Sequence, residues 1–179
     1  VSLGEVKGNV EDLKVEVIVD KDAKKITIRD NGIGMTSEEV EKYINQIAFS
    51  GAEEFVEKYK DSDTKNAIIG HFGLGFYSAF MVAKKVEVIS RSYKSEKAYM
   101  WSCDGNPEYE ITDAEKENRG TDIILYIDDE NKEFLQKSKT GEILNRYCKF
   151  LPVPIKFGTK TEYEDHPDGK KDKDGNIEQ

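Results

Sequence analysis

The sequence predicts an α+β fold, a two-layer sandwich in which helices cover one face of a mostly antiparallel β-sheet. The chain opens with two segments in which apolar and polar residues alternate, and helical patterns follow them. A run of strand-like segments then extends from residue 84 to residue 128. This order of strands, helices and strands is typical of an antiparallel sheet with helices on one side. At 179 residues, the chain suffices for one domain that buries about two-thirds of its unfolded surface.

The first two strands are predicted by strict alternation. "LKVEVIVD" (13–20) and "KKITIRD" (24–30) flank the polar turn "KDAK", which is typical of a β-hairpin. The apolar residues of both strands face the same side: Leu13, Val15, Val17, Val19, Ile26 and Ile28.

Helical spacing follows directly. "TSEEVEKYINQIAFSG" carries Glu39 three residues after Thr36, a capping box, with Val40, Ile44 and Ile47 at helical intervals. Ser50 is expected to cap a short helix over "AEEFVEKY", and the polar "KDSDTKNA" reads as a loop. "FYSAFMVA" (76–83) is predicted to be a buried apolar helix.

The rest of the chain is predicted to form a meander of strands over "KKVEVISRS", "KAYMWSC", "PEYEIT" and "GTDIILYID". "KEFLQKSKTGEILNRYCKFL" is amphipathic, with Gly141 as a candidate interruption, and the prolines of "LPVPIKF" favour an edge strand. Charged residues of both signs dominate after Phe157. We therefore expect a domain over 1–157 and a linker or disordered tail over 158–179.

Composition excludes some functions. A net charge of -9 disfavours binding to nucleic acid or to an acidic membrane, although a few backbone amides can still hold phosphate. Cys103 and Cys148 lie far apart without a CxxC pattern, which favours reduced thiols over a zinc site. With neither a signal peptide nor an apolar run of about 18 residues, we expect a soluble cytoplasmic protein. Any segment before Val1 is left open.

The stretch "DNGIGMT" (30–36) is the first candidate binding motif. Asp30 ends an apolar strand, so its carboxylate is expected at the floor of a cleft, where it needs hydrogen-bond donors. The exocyclic amine of adenine is such a donor. Gly32 and Gly34 allow a flat ring to approach the backbone, and Met35 offers it an apolar surface. Taken alone, the motif also fits a simple turn. A calcium-binding loop is disfavoured, because this stretch lacks the acidic residues at alternate positions that such a loop needs.

Two further glycine motifs follow. "GHFGLGF" (70–76) leads into an apolar helix, and its backbone N–H groups are suited to a phosphate cradle. The alternative is that these glycines only allow close helix packing. Gly120 and Thr121 open a predicted strand and, taken alone, form a turn. No motif fits a Rossmann GxGxxG in a βαβ unit or a Walker GK[ST].

Together these motifs resemble the ATP-binding (GHKL) fold shared by gyrase, ninety-kilodalton heat-shock chaperones, sensor histidine kinases and MutL-type repair proteins. "DNGIGMT", "INQIAFSGAEEF", "IGHFGLGFYSAFMVAKKVEVIS" and "RGTDIILYI" are most similar to the heat-shock chaperone family, and the resemblance extends to Phe157. It implies that Asp30 accepts the adenine amine, partly through water held by Gly34 and Thr121, and that Met35 packs on the base. The implied phosphate loop is Gly70, His71, Phe72, Gly73, Leu74 and Gly75, with Phe76 beside it.

The resemblance also implies a lid over residues 50–75, ATP or ADP as ligand, and slow ATP hydrolysis that drives a conformational cycle. It implies a chaperone that assists protein folding under stress, with client proteins as partners and a homodimer formed through C-terminal regions absent here. The family's catalytic Glu and magnesium-binding Asn would precede Val1. We therefore assign no catalytic or metal-binding residue in this chain, and we expect it to lack measurable ATPase activity and to bind nucleotide weakly if at all.

Some points stay open. Family members often carry Lys at the position of Phe49, and the aromatic Tyr43 has no evident role. A histidine kinase would need an adjacent phospho-acceptor helix, and a topoisomerase or repair protein a basic DNA-binding surface; neither is evident. A protein-interaction module without enzyme activity, in which the glycines are only structural, remains the third alternative.

Overall fold

The computed structural model describes residues 12–45, 76–105 and 108–158. Its central feature is a seven-stranded sheet in the order β5-β4-β3-β6-β2-β1-β7. Every neighbouring pair is antiparallel except β1 and β7, which run parallel. The strands are β1 (Val15–Asp20), β2 (Lys25–Asp30), β3 (Ala83–Arg91), β4 (Ala98–Cys103), β5 (Glu110–Ala114), β6 (Gly120–Ile127) and β7 (Ile155–Phe157).

The predicted hairpin is confirmed. β1 and β2 pair so that Val17 lies opposite Ile28 and Val19 lies opposite Ile26. Val17 and Ile26 are buried, in a cluster with Ile127. The alternating pattern thus places one face of the hairpin in the core, as the period of a strand requires.

The predicted meander is only partly correct. β3, β4 and β5 do form a meander, but β6 does not continue it beyond β5. Instead β6 crosses back and inserts between β3 and β2. The reason lies in burial, because "GTDIILYI" is largely shielded along its length whereas β5 is mostly exposed and suits an edge.

The capping box at the start of α1 (Ser37–Asn45) is confirmed. The Thr36 N–H donates to Glu39 Oε2 (2.9 Å), and the Glu39 N–H donates to Thr36 Oγ1 (3.3 Å). Val40 is fully buried against Val88 and Trp101. α1 therefore covers the face of the sheet whose side chains form the core. Ile47 and the predicted helix after Ser50 lie outside the described residues.

The prediction of a buried helix over 76–83 is wrong. A 3-10 helix spans Phe76–Met81, and Ala83 already belongs to β3, paired with Ile127. Met81 is 78% exposed. Because β3 pairs with β6 along its whole length, Ala83 at the end of the apolar segment belongs to the sheet and not to a helix.

The amphipathic segment near the C-terminal end forms a 3-10 helix (Lys132–Leu135) and then α2 (Lys137–Tyr147). The break falls at Gln136, which is extended, and Gly141 lies within α2 without interrupting it. A β-carbon at Gly141 would come within 3.2 Å of the Phe157 ring, so glycine permits this close packing. β7 is an edge strand, as predicted. No helix in the described ranges is long and apolar enough to cross a membrane.

Candidate functional site

The candidate site lies where the helix-covered face of the sheet changes from apolar to polar. Ile123 in β6 is paired with Ile28 in β2 and with Val88 in β3, forming an apolar row. The next row on this face, two positions from Ile123, is polar. In this row Thr121 is paired with Ser90, and Asp30, the last residue of β2, lies beside Thr121. Because side chains at alternate positions share a face, this polar row continues the core face of the sheet.

Asp30 is held by backbone amides. The N–H groups of Gly32 (2.7 Å) and Thr121 (3.3 Å) both donate to Asp30 Oδ1. Burial raises the pKa of Asp30 above its ordinary value, and these two hydrogen bonds oppose the rise. Among the described residues, no donor reaches Asp30 Oδ2. The carboxylate is thus fixed in direction through one oxygen, while the other remains able to accept a hydrogen bond.

Two glycines allow the backbone to approach this carboxylate. Gly34 has a φ of 65°, and a β-carbon there would lie 1.9 Å from the Arg91 carbonyl oxygen. Gly120 has a φ of 123°, and its β-carbon would lie 2.2 Å from the Asp30 carbonyl oxygen. Left-handed backbone at both positions favours glycine. Within the described residues, glycine at position 34 lets the loop lie close to β3. The approach of a flat ring to this glycine stays a prediction.

Met35 and Thr121 are joined through Ser90. The Met35 N–H donates to Ser90 Oγ (2.9 Å), and Ser90 Oγ lies 2.9 Å from Thr121 Oγ1. Ser90 is fully buried, and the Met35 side chain packs against the cluster around Val40. The sequence interpretation missed Ser90. Its signal was a polar residue at an inward position of β3, two residues after Val88.

The loop between β2 and α1 is anchored from two other directions. The Arg119 guanidinium donates from Nη1 to the carbonyl oxygens of Asn31 and Gly32, both at 2.7 Å. The Tyr93 N–H donates to the Ile33 carbonyl oxygen at 2.8 Å. These hydrogen bonds restrain the loop backbone, and such restraint reduces the entropy that a binding site loses when it holds a ligand.

The opposite face of the sheet carries an ionic cluster next to Asp30 and Thr121. Arg29 and Lys116 bind Asp122, with closest distances of 2.9 Å and 2.6 Å. Burial alone raises the pKa of Asp122, but hydrogen bonds from Arg29 and Lys116 outweigh it and the pKa falls below its ordinary value. Arg29 thus points away from the core face of the sheet. A cavity of about 600 Å³ lies here, and its lining is mostly charged.

The structure brings together four of the predicted site residues, namely Asp30, Gly34, Met35 and Thr121. Phe76 begins the first 3-10 helix. The other predicted positions lie outside the described residues: Gly70, His71, Phe72, Gly73, Leu74, Gly75, Phe49, the lid over 50–75, and the tail from residue 159 onward. Tyr43 lies in α1 with its ring beneath the Lys42 ammonium, 5.3 Å from the centroid.

Comparison with known proteins gives two results. A family model described as "Histidine kinase-, DNA gyrase B-, and HSP90-like ATPase" matches residues 6–124. Chaperone protein HtpG of Bacteroides thetaiotaomicron is 62% identical over 165 residues, covering 92% of this chain and 24% of that protein.

Two other relatives carry the same name. Chaperone protein HtpG of Porphyromonas gingivalis is 59% identical over 177 residues, covering 98% of this chain and 26% of the relative. Chaperone protein HtpG of Campylobacter jejuni is 42% identical over 160 residues, covering 89% of this chain and 26% of the relative. The chain spans about a quarter of the length of the curated relatives it matches.

Proposed function

Because the chain belongs to the family of histidine kinase-, DNA gyrase B- and HSP90-like ATPases, we propose that it is the ATP-binding domain of an ATP-dependent molecular chaperone. The relatives named chaperone protein HtpG support the chaperone over a histidine kinase or a gyrase, since they match nearly the whole chain. In the intact protein, slow ATP hydrolysis would drive lid closure and a conformational cycle that assists the folding of client proteins in the cytoplasm under stress.

The observation that carries the proposal is the state of Asp30. Two backbone amides fix one carboxylate oxygen, and the second accepts no hydrogen bond from the described residues. A partly buried acceptor without a partner is destabilising, and a ligand amine would satisfy it. The exocyclic amine of adenine has this chemistry. The apolar Met35 lies on the same loop and is only partly buried against the cluster around Val40, so it would supply a surface for the base.

Other parts of the proposal rest on the family resemblance. Gly70 to Gly75 would hold the phosphates through backbone amides, with Phe76 beside them, and Mg²⁺ would accompany ATP in the intact protein. Within the described residues, no group of three His, Cys, Asp or Glu side chains is placed to hold a metal. We therefore assign no magnesium ligand among these residues. Dimerisation is proposed to depend on C-terminal regions of the intact protein.

The test is nucleotide binding by wild type and an Asp30→Asn variant. The amide would keep an acceptor for the Gly32 and Thr121 N–H groups but place a donor opposite the adenine amine. We expect ADP affinity to fall by about 5- to 150-fold, the equivalent of about 1–3 kcal/mol. Binding can be followed by amide chemical-shift changes, which also measure weak affinities.

Asp20→Asn is the matched control. Asp20 also ends a strand and accepts a backbone N–H, from Ala23 at 2.9 Å, but it is exposed in the hairpin turn. Its substitution should leave ADP affinity unchanged. Failure of the wild-type chain to bind ADP, or equal binding by Asp30→Asn, would overturn the proposal.

A further inference from the structure

We infer that Ser90 is a positioning residue that directs the Thr121 hydroxyl proton toward the ligand and thereby helps to select adenine over guanine. The inference rests on the proposed nucleotide-binding function. Ser90 is fully buried, and its hydroxyl contacts both segments that form the site. It accepts from the Met35 N–H at 2.9 Å and lies 2.9 Å from Thr121 Oγ1.

The protons and distances of this network favour one direction. A serine hydroxyl has one proton to donate and two lone pairs to accept. The Met35 N–H can only donate, so it occupies one lone pair of Ser90 Oγ. The Ser90 proton has two candidate acceptors, Thr121 Oγ1 at 2.9 Å and the Gly120 carbonyl oxygen at 3.4 Å. O–H···O bonds lie between about 2.5 and 3.0 Å. If Thr121 donated to Ser90 instead, the Ser90 proton would be left with the 3.4 Å contact to Gly120, so donation to Thr121 gives this proton its better bond.

When Ser90 donates to Thr121, the proton of the Thr121 hydroxyl must point elsewhere. Among the described residues, Ser90 is the one side chain that the Thr121 hydroxyl bonds. Its proton is therefore available to an acceptor on the ligand. Asp30, whose Oδ1 accepts the Thr121 N–H, offers the complementary group, a pure acceptor.

A pocket with an acceptor beside a donor distinguishes the two purines. Adenine presents an amine, which can donate to Asp30, next to a ring nitrogen that can accept from Thr121. Guanine presents a carbonyl oxygen in place of the amine, so an acceptor would face the carboxylate. Without Ser90, the Thr121 hydroxyl could rotate and serve equally as donor or acceptor, and its part of the discrimination would be lost.

The experiment compares ADP and GDP binding to the chain by amide chemical-shift titration. Ser90→Ala should weaken ADP binding by about fivefold, the loss of one net hydrogen bond, and leave GDP binding unchanged. A merely structural role would weaken both nucleotides equally. Thr121→Val keeps the branched shape and removes the hydroxyl, so it should lower the ADP-to-GDP preference to the same extent. This variant provides the test if Ser90→Ala does not fold.

Ser92→Ala is the control for loss of a buried hydroxyl. Ser92 lies two residues further along the chain, is 2% exposed, and accepts from the Lys94 N–H rather than from the site. It should keep the wild-type preference. If wild type binds ADP but Ser90→Ala or Thr121→Val retains the wild-type ratio, the role of Ser90 is refuted while the proposed function stands. If wild type does not bind ADP, both are refuted.

Discussion

Gly34→Ala tests whether the loop after β2 must press against β3. The substitution adds a β-carbon at a left-handed position, 1.9 Å from the Arg91 carbonyl oxygen and 2.5 Å from its carbon. Both contacts are with backbone, so no side-chain rotation can relieve them. The loop must move away from β3, and the Met35 and Tyr93 hydrogen bonds that join loop and strand must lengthen or break.

The expected loss has two parts. Left-handed backbone costs a residue with a β-carbon about 1–2 kcal/mol. The two hydrogen bonds contribute about 0.5–1.5 kcal/mol each. We therefore expect Gly34→Ala to lower the free energy of unfolding by about 2–5 kcal/mol, which for a chain of this size lowers Tm by about 2–4 °C per kcal/mol.

Gly158→Ala separates the two parts. Gly158 has nearly the same φ, 63°, but nothing lies within 4 Å of its added β-carbon. Gly158→Ala should therefore lower the free energy of unfolding by no more than the cost of left-handed backbone, about 1–2 kcal/mol. Urea unfolding followed by fluorescence of the buried Trp101 measures both variants. Equal losses for Gly34→Ala and Gly158→Ala would refute the argument that close backbone approach requires glycine at position 34.

Three further substitutions test the elements around the site. Val40→Ala removes two methyl groups from a fully buried position and should cost about 1–3 kcal/mol in urea unfolding; a loss near zero would show that this core contact is loose. Thr36→Ala removes one side of the capping box and should cost about 1 kcal/mol, with no change in stability counting against the cap. Asp122→Asn should cost about 1.5–3 kcal/mol at neutral pH by weakening the bonds from Arg29 and Lys116. Because the pKa of Asp122 is lowered in the folded state, wild type loses this advantage as pH falls below about 4, the ordinary carboxyl range; thermal unfolding curves that stay equally far apart in acid would contradict it.

Local patterns predicted the elements whose structure depends on neighbours in sequence. Alternation placed Val17 and Ile26 in the core, and the spacing of Thr36 and Glu39 predicted the capping box. The position of β6 was not predictable in this way, because strand order depends on pairing between segments nearly a hundred residues apart. The helix predicted over 76–83 failed for a related reason, since pairing with Ile127 overrides the local preference of Ala83.

The site shows the same division. Asp30 and its glycines stand out because a second glycine-rich motif follows at residues 70–76, and the motifs together resemble an ATP-binding fold. The backbone donors that hold Asp30 were not foreseen, because one of them, the Thr121 N–H, is 91 residues away. Ser90 was missed because its signal, a polar residue two positions after Val88, indicates no role until the partners of its hydroxyl are known, and these lie 31 and 55 residues away.

The place of β6 between β2 and β3 also has a consequence for protein synthesis. The hairpin of β1 and β2 and the meander of β3 to β5 emerge from the ribosome first, and they share no edge until β6 arrives to join them. Asp30 belongs to one half and Ser90 to the other, while Thr121 belongs to the joining strand. A nascent chain that stops short of Gly120 therefore lacks part of the proposed nucleotide site. Nucleotide that binds afterwards would stabilise the junction between the halves, because ligand binding favours only the state that contains the site.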